Sequence, residues 1–162
     1  MAQVVLALGS NLNNPHQQLQ QALKFLSSIS ETEVKCSPIY ISEPVGPADH
    51  DFLNAVVIIE TGDAPNELLE MLKEQEQKQG RPSRYPKWTA RTIDLDIIGY
   101  DDLVIETDSL IIPHREYTER LFVLLPLRDV LPQWTDPATA QDIDTLIKQA
   151  PEIKISQTTL EW

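Results

Sequence analysis

Two hydrophobic periods alternate along this chain. Gln3 to Gly9 (QVVLALG) is a short, nearly continuous apolar run, the pattern of a strand covered on both faces. Leu19, Ala22, Leu23 and Leu26 then recur at i, i+3, i+4 and i+7, which predicts an amphipathic helix over Pro15 to Ser28. Asn14 is placed to cap that helix and Pro15 suits its first position. Glu33 to Ser42 alternates weakly and reads as a strand, with Pro38 marking a bulge or an edge. After a loop punctuated by Pro44, Gly46 and Pro47, Phe52 to Thr61 is a further strand. Pro65 opens a second helix, with Leu68, Leu69 and Leu72 on its buried face and Gly80 as its stop. A basic loop, RPSRYPKWTAR, leads into the strand TIDLDIIGY. DDLVIETDSLIIPH reads as a short hairpin, Tyr117 to Val130 as a third helix, and Asp142 to Gln149 as a short one in an irregular tail.

The first two-thirds therefore runs β-α-β, β-α-β. That order predicts an α+β fold: a ferredoxin-like βαββαβ sandwich, with an antiparallel sheet, helices on one face of it and a C-terminal extension. No repeat, low-complexity tract or linker interrupts the chain. At 162 residues it is expected to form one domain, 1–162, with a sizeable core.

Composition narrows the function. With 41% hydrophobic and 23% charged residues the chain has ordinary globular composition. No apolar run reaches the roughly 18 residues needed to cross a membrane. The opening MAQVVLALGSN has no basic start and reads as a strand rather than a signal peptide. The single cysteine, Cys36, leaves no internal disulfide and no cysteine-based zinc site. A cytoplasmic location is expected. The net charge of -12 argues against nucleic acid and anionic membranes as partners. Between Gln77 and Ile93, however, there is no Asp or Glu, while Lys78, Arg81, Arg84, Lys87 and Arg91 supply five of the 13 Lys and Arg. Such an island in an acidic chain suits a small polyanion, for example a nucleotide phosphate chain; a solvated loop is the plainer alternative.

Asp94 and Asp96 follow that island. Side chains alternate along a strand, so Ile93, Leu95 and Ile97 share a face toward the core while Thr92, Asp94, Asp96 and Ile98 share the other. The two carboxylates are then neighbours, about 7 Å apart at their Cα atoms. Ionised like charges so close repel unless a cation lies between them. Mg²⁺ fits: it takes carboxylate oxygens, keeps water, and shares its other positions with phosphate. Alone, a D-x-D pair also fits a half-exposed strand with two solvated acids; beside the basic island it favours metal plus phosphate.

GSNL at the end of the first strand, PVGPADHDFLNA, QGR after the second helix, W-x-x-RTIDLDII and IIPH…ERLFVLLPL occur in this order. In these motifs, over about residues 2 to 135, the chain resembles the 6-hydroxymethyl-7,8-dihydropterin pyrophosphokinase family of the folate pathway. The resemblance implies transfer of a diphosphate from ATP to the pterin's hydroxymethyl oxygen, with AMP leaving, two Mg²⁺ ions and a ferredoxin-like fold. It places the metal pair on Asp94 and Asp96. It places phosphate-contacting and catalytic arginines at Arg81 and Arg91, and an aromatic of the same mobile loop at Trp88. It carries nucleotide contacts to Glu76, Ile97, His114 and Arg120. It carries the pterin site to Phe52, Asn54 and Phe122, with chain around Ser42, Pro44 and Val45. Two aromatic rings can stack on a flat pterin, and Asn54 offers a donor and an acceptor to its amide edge. Departures from the family at Lys73, Ser83, Ser109 and Arg115 bear on nucleotide affinity. The expected partners are these small molecules, with no obligate protein partner. A palm-type nucleotidyl transferase and a non-catalytic ligand-binding module of the same fold are the rival readings.

Overall fold

The computed structural model describes residues 1–44, 50–80 and 92–162. Its elements in chain order are β1 (Ala2–Ser10), α1 (Pro15–Ile29), β2 (Lys35–Cys36), β3 (Tyr40–Ser42), β4 (Phe52–Thr61), α2 (Pro65–Lys78), β5 (Asp94–Tyr100), β6 (Ile105–Glu106), β7 (Ile111–Ile112), a 3₁₀ turn (Tyr117–Glu119), α3 (Leu121–Val130), α4 (Ile143–Gln149) and β8 (Ile155–Gln157). Among the described residues six strands form an antiparallel sheet in the order β5-β1-β4-β3-β8, with β2 also on β4. β6 and β7 form the expected hairpin.

The apolar run of β1 explains its central place. Val4, Leu6 and Leu8 face α1 and α2, packing with Leu19, Ala22, Leu26, Leu68 and Leu72. Val5 and Ala7 face the other way and pack with Val123, Leu124 and Leu127 of α3 and Ile143 and Leu146 of α4. The two helices of the βαββαβ core thus share one face, as predicted, and the C-terminal extension supplies a second layer of helices on the opposite face.

Four local readings change. The segment Glu33 to Ser42 is two short strands, because Pro38 cannot donate to the ladder. Ser37 bridges the break: its N–H donates to Val56 C=O at 2.9 Å, and its Oγ accepts the Val56 N–H at 3.0 Å. Asn14 does not cap α1 through its side chain. Asn13 and Asn14 both adopt positive φ, 55° and 64°, a conformation asparagine tolerates, and the Asn14 carbonyl takes the Gln18 N–H instead. The third helix does not run unbroken from Tyr117. Arg120 is extended, with φ -120° and ψ 96°, and separates the 3₁₀ turn from α3. Finally, β8 pairs with β3 and widens the sheet, a strand the polar tail did not announce.

A bulge on β5 positions the extension. Register slips between Val5 and Leu6, leaving Ile98 as the extra residue. Gly99 then faces the second layer, where a Cβ would come within 2.7 Å of the Trp134 ring. Trp134 donates through Nε1 to the Tyr117 hydroxyl at 3.2 Å, and that hydroxyl donates to Asp136. Burial and the Asp136 hydrogen bond push the Tyr117 phenol well above its ordinary pKa, so it stays a donor. Gly99→Ala is expected to displace the indole and cost about 1–3 kcal/mol, the scale of overpacking in a filled core. An unchanged urea midpoint for that variant would contradict the packing described.

Candidate active site

Register on both sides of β1 assembles the site. Asn54 on β4 lies opposite Gly9, and Gly9 lies opposite Asp94 on β5. Val56, Ala7 and Asp96 form the parallel row one step along the same face. Tyr40 continues the first row beyond Asn54, and Ser42 lies opposite Phe52. The apolar members of these rows, Val56 and Ala7, lie in the core beneath α3. Beyond them the same face carries the polar and aromatic groups: Asn54 buried, Phe52, Asp94 and Asp96 half-buried. Strand alternation thus puts both carboxylates on one face, as the sequence predicts.

The Asn54 amide is oriented. Its Nδ2 donates to Ser42 Oγ at 2.8 Å and, at 3.4 Å, to the Phe52 carbonyl, which can only accept. Its Oδ1 is thereby turned toward Gly9, where it would lie 3.5 Å from a Cβ.

β5 is a sheet edge, and its backbone is held from two sides. Glu76, reaching across from the last turns of α2, is only 7% exposed and accepts the Leu95 N–H at 2.8 Å. This holds the chain between the two aspartates. On the other side His114 N–H donates to the Ile98 carbonyl at 3.0 Å. The His114 ring accepts the Glu116 N–H at Nδ1, at 3.1 Å, which leaves Nε2 as the protonated nitrogen of a neutral ring. Burial and the Arg120 guanidinium push its pKa down to about 4, with Glu116 and Asp94 acting the other way. Arg120 pairs with Glu116 at 2.6 Å and lies 5.6 Å from the centroid of the Phe122 ring, on the first turn of α3.

Among the described residues no three His, Cys, Asp or Glu side chains converge as a metal cluster. Asp94 and Asp96 are a two-carboxylate donor set. That suits a hard cation which draws its remaining oxygens from water and phosphate, as Mg²⁺ does.

The sequence was compared with known proteins. The family described as 7,8-dihydro-6-hydroxymethylpterin-pyrophosphokinase (HPPK) matches residues 5–132. The chain belongs to the HPPK family. A 2-amino-4-hydroxy-6-hydroxymethyldihydropteridine pyrophosphokinase of Haemophilus influenzae is 42% identical over 157 residues, 96% of this chain and 97% of the relative. A protein of the same name from Pseudomonas aeruginosa is 44% identical over 131 residues, 80% of each chain. Among solved structures, Plasmodium falciparum HPPK-DHPS, wild type with SDX-DHP, superposes with a TM-score of 0.71 at 17% identity. It covers 91% of this chain, which spans 44% of that longer one, and shows the fold.

Of the residues the HPPK resemblance selects, the structure brings Phe52, Asn54, Asp94 and Asp96 onto one face, with Ser42 bonded to Asn54. Phe122, Arg120 and His114 come from the neighbouring α3 and β7 segments. Pro44 follows β3, half-buried. Ile97 and Glu76 lie toward the opposite layer: Ile97 in the core under α1 and α2, Glu76 against the β5 backbone. Val45, Arg81, Trp88 and Arg91 lie outside the described residues.

Two anchors went unread. Buried Ser10 donates through Oγ to the Thr92 carbonyl, at the approach to β5. Buried Asn11 donates through Nδ2 to the His50 carbonyl at 3.2 Å, ahead of β4. The only signal was their place in GSNL, directly after an apolar strand.

The depressed His114 pKa has a signed consequence. Between the unfolded value of 6.5 and the folded value of about 4, the unfolded chain binds a proton that the folded chain refuses. Stability therefore falls with pH through that window, by up to about 3 kcal/mol from this group. In metal-free protein, His114→Gln is expected to flatten that part of the pH-stability curve. Identical slopes for variant and wild type from pH 6.5 to 4 would remove the assignment.

Proposed function

We propose that this chain transfers a diphosphate from ATP to the hydroxymethyl group of 6-hydroxymethyl-7,8-dihydropterin, releasing AMP, as an enzyme of folate biosynthesis. The observation that carries this reading is the acid pair on β5 in one cross-strand row with Asn54, in a chain of the HPPK family. β8 is hydrogen-bonded to β3, so we take 1–162 as one catalytic domain, and a cytoplasmic one.

In the transfer the pterin hydroxyl oxygen bonds to the β-phosphorus, the bond from that phosphorus to the α,β-bridging oxygen breaks, and AMP departs with the pair. The hydroxyl proton is lost. Such a reaction asks mainly for positioning and for stabilisation of charge already on the phosphates. Phe52 and Phe122 offer ring faces for a flat acceptor, and Asn54 presents Oδ1 to its amine and amide edge. Asp94 and Asp96 would hold Mg²⁺, which when bound neutralises phosphate charge; two ions are part of the proposal. Neutral His114 has its Nε2–H free of the bond made at Nδ1, so it can donate to a phosphate oxygen without a charge of its own. Arg120 adds a guanidinium held by Glu116. Arg81, Arg91 and Trp88 enter this scheme through the family resemblance alone. Glu76 acts here through the backbone it holds, keeping the two aspartates at fixed spacing.

Asp96→Ala is expected to lower AMP release from ATP, dependent on both Mg²⁺ and pterin, by at least roughly a hundredfold, the scale of losing one fixed electrostatic partner. Its thermal midpoint should move little, because Asp96 is half-buried on an edge strand. Turnover like the wild type's would refute the carboxylate role. A wild-type chain that released no AMP when given pterin would leave only a ligand-binding module.

A further inference from the structure

Glycines are used for different reasons in this fold. Gly80 has φ +108°, a backbone that side chains resist. Gly99 has no room for a Cβ beside Trp134. Gly9 meets neither condition. It lies mid-row in a regular antiparallel ladder, between Asn54 and Asp94. A Cβ built there would be 3.5 Å from Asn54 Oδ1, 3.9 Å from Phe52 Cδ1 and 4.0 Å from the Leu53 carbonyl, all ordinary contacts. Nothing in the fold requires glycine at this position, and glycine weakens a strand. An alanine would fit the folded protein and favour the strand.

We propose that Gly9 is a specificity-determining residue: its bare backbone is the floor on which the planar pterin acceptor lies, between the amide that reads its edge and the carboxylates at its reacting end. Three observations converge. The missing Cβ would point to the face that carries Phe52, Asn54, Asp94 and Asp96. Its nearest neighbours would be two groups already assigned to acceptor binding, the Asn54 amide oxygen and the Phe52 ring. And a glycine inside a strand without conformational or packing cause marks close approach of a ligand to the chain. The adjoining residues act differently: Ser10 and Asn11 hold Thr92 and His50, so this tripeptide anchors two approaches to the site and keeps the surface between them clear.

The inference rests on the pterin reading above, and the experiment separates the two. Binding of 6-hydroxymethylpterin is measured by isothermal titration calorimetry, with ATP and pterin KM from AMP release, for wild type and Gly9→Ala, together with thermal midpoints. The expected variant has a midpoint equal to or above wild type. Its pterin Kd and KM rise at least roughly tenfold, the scale on which one added methyl-sized group changes fit in a filled pocket. Its KM for ATP stays within about twofold, since a clash confined to the acceptor leaves nucleotide binding alone. Unchanged pterin affinity overturns the role of Gly9 and leaves the function standing. Equal losses for both substrates, or a lowered midpoint, also overturn it, because they show a structural glycine. A wild-type chain that binds no pterin removes both proposals. Gly9→Val extends the series, and a pterin affinity no weaker than that of Gly9→Ala would contradict a steric floor.

Discussion

The antiparallel register of β4, β1 and β5 is the constraint from which the site follows. Because side chains alternate, a single residue of slippage on either side of β1 would send Asn54 or the two aspartates to the opposite face. The register is fixed by what lies further along the same strands. Val4, Leu6 and Leu8 are buried on one side, Val5 and Ala7 on the other, so no shifted pairing keeps both cores filled. The polar row Asn54–Gly9–Asp94 is thus placed by apolar residues that touch no substrate. The bulge at Ile98 lies beyond Asp96, so it redirects Gly99 and Tyr100 and leaves the acid pair in phase.

An acid pair on an edge strand is electrostatically unfavourable without a cation, and an edge strand is the least supported part of a sheet. Both weaknesses meet at β5. The fold answers the second with buried partners for the edge: Glu76 takes the Leu95 N–H from one side and His114 donates to the Ile98 carbonyl from the other. The first is left for the ligand. Repulsion between Asp94 and Asp96 is held in a fixed geometry and is relieved when a divalent ion binds, which turns a local cost of folding into affinity for metal.

Much of this was legible before the structure, and what was not has a common cause. Alternation along TIDLDIIGY gave the faces of Ile93 to Ile98 correctly, because those faces depend only on the strand's own period. The helices over Pro15 to Ser28 and from Pro65 were readable for the same reason. The failures involve partners distant in sequence. Glu76 reads as a solvated residue near a helix end, yet it is buried against an edge strand 19 residues away. β8 is three residues long and half polar, and exists because β3 offers an edge. Tyr117 to Val130 has helical composition throughout. The break at Arg120 comes with long-range ties: Tyr117 is held by Asp136 and Trp134, and Arg120 by Glu116. Gly9, Ser10 and Asn11 were visible as a motif without a mechanism, since each acts across the sheet or on a remote carbonyl.

A chain with a net charge of -12 that reads as a binder of ATP presents an apparent conflict, and screening resolves it. At physiological ionic strength charges separated by more than about 8 Å are largely hidden from one another, so the average charge governs solubility rather than the site. What the phosphates meet is local. Arg120 is 25% exposed at its side chain and already committed to Glu116, so it supplies oriented donors with little net field. His114 supplies a donor and no charge. The positive charge that balances a triphosphate must then come from the ion between the aspartates and from the acid-free stretch of sequence between Gln77 and Ile93. Confining the cations to one segment lets the remaining surface stay acidic, which disfavours longer polyanions while a single nucleotide is still small enough to be bound.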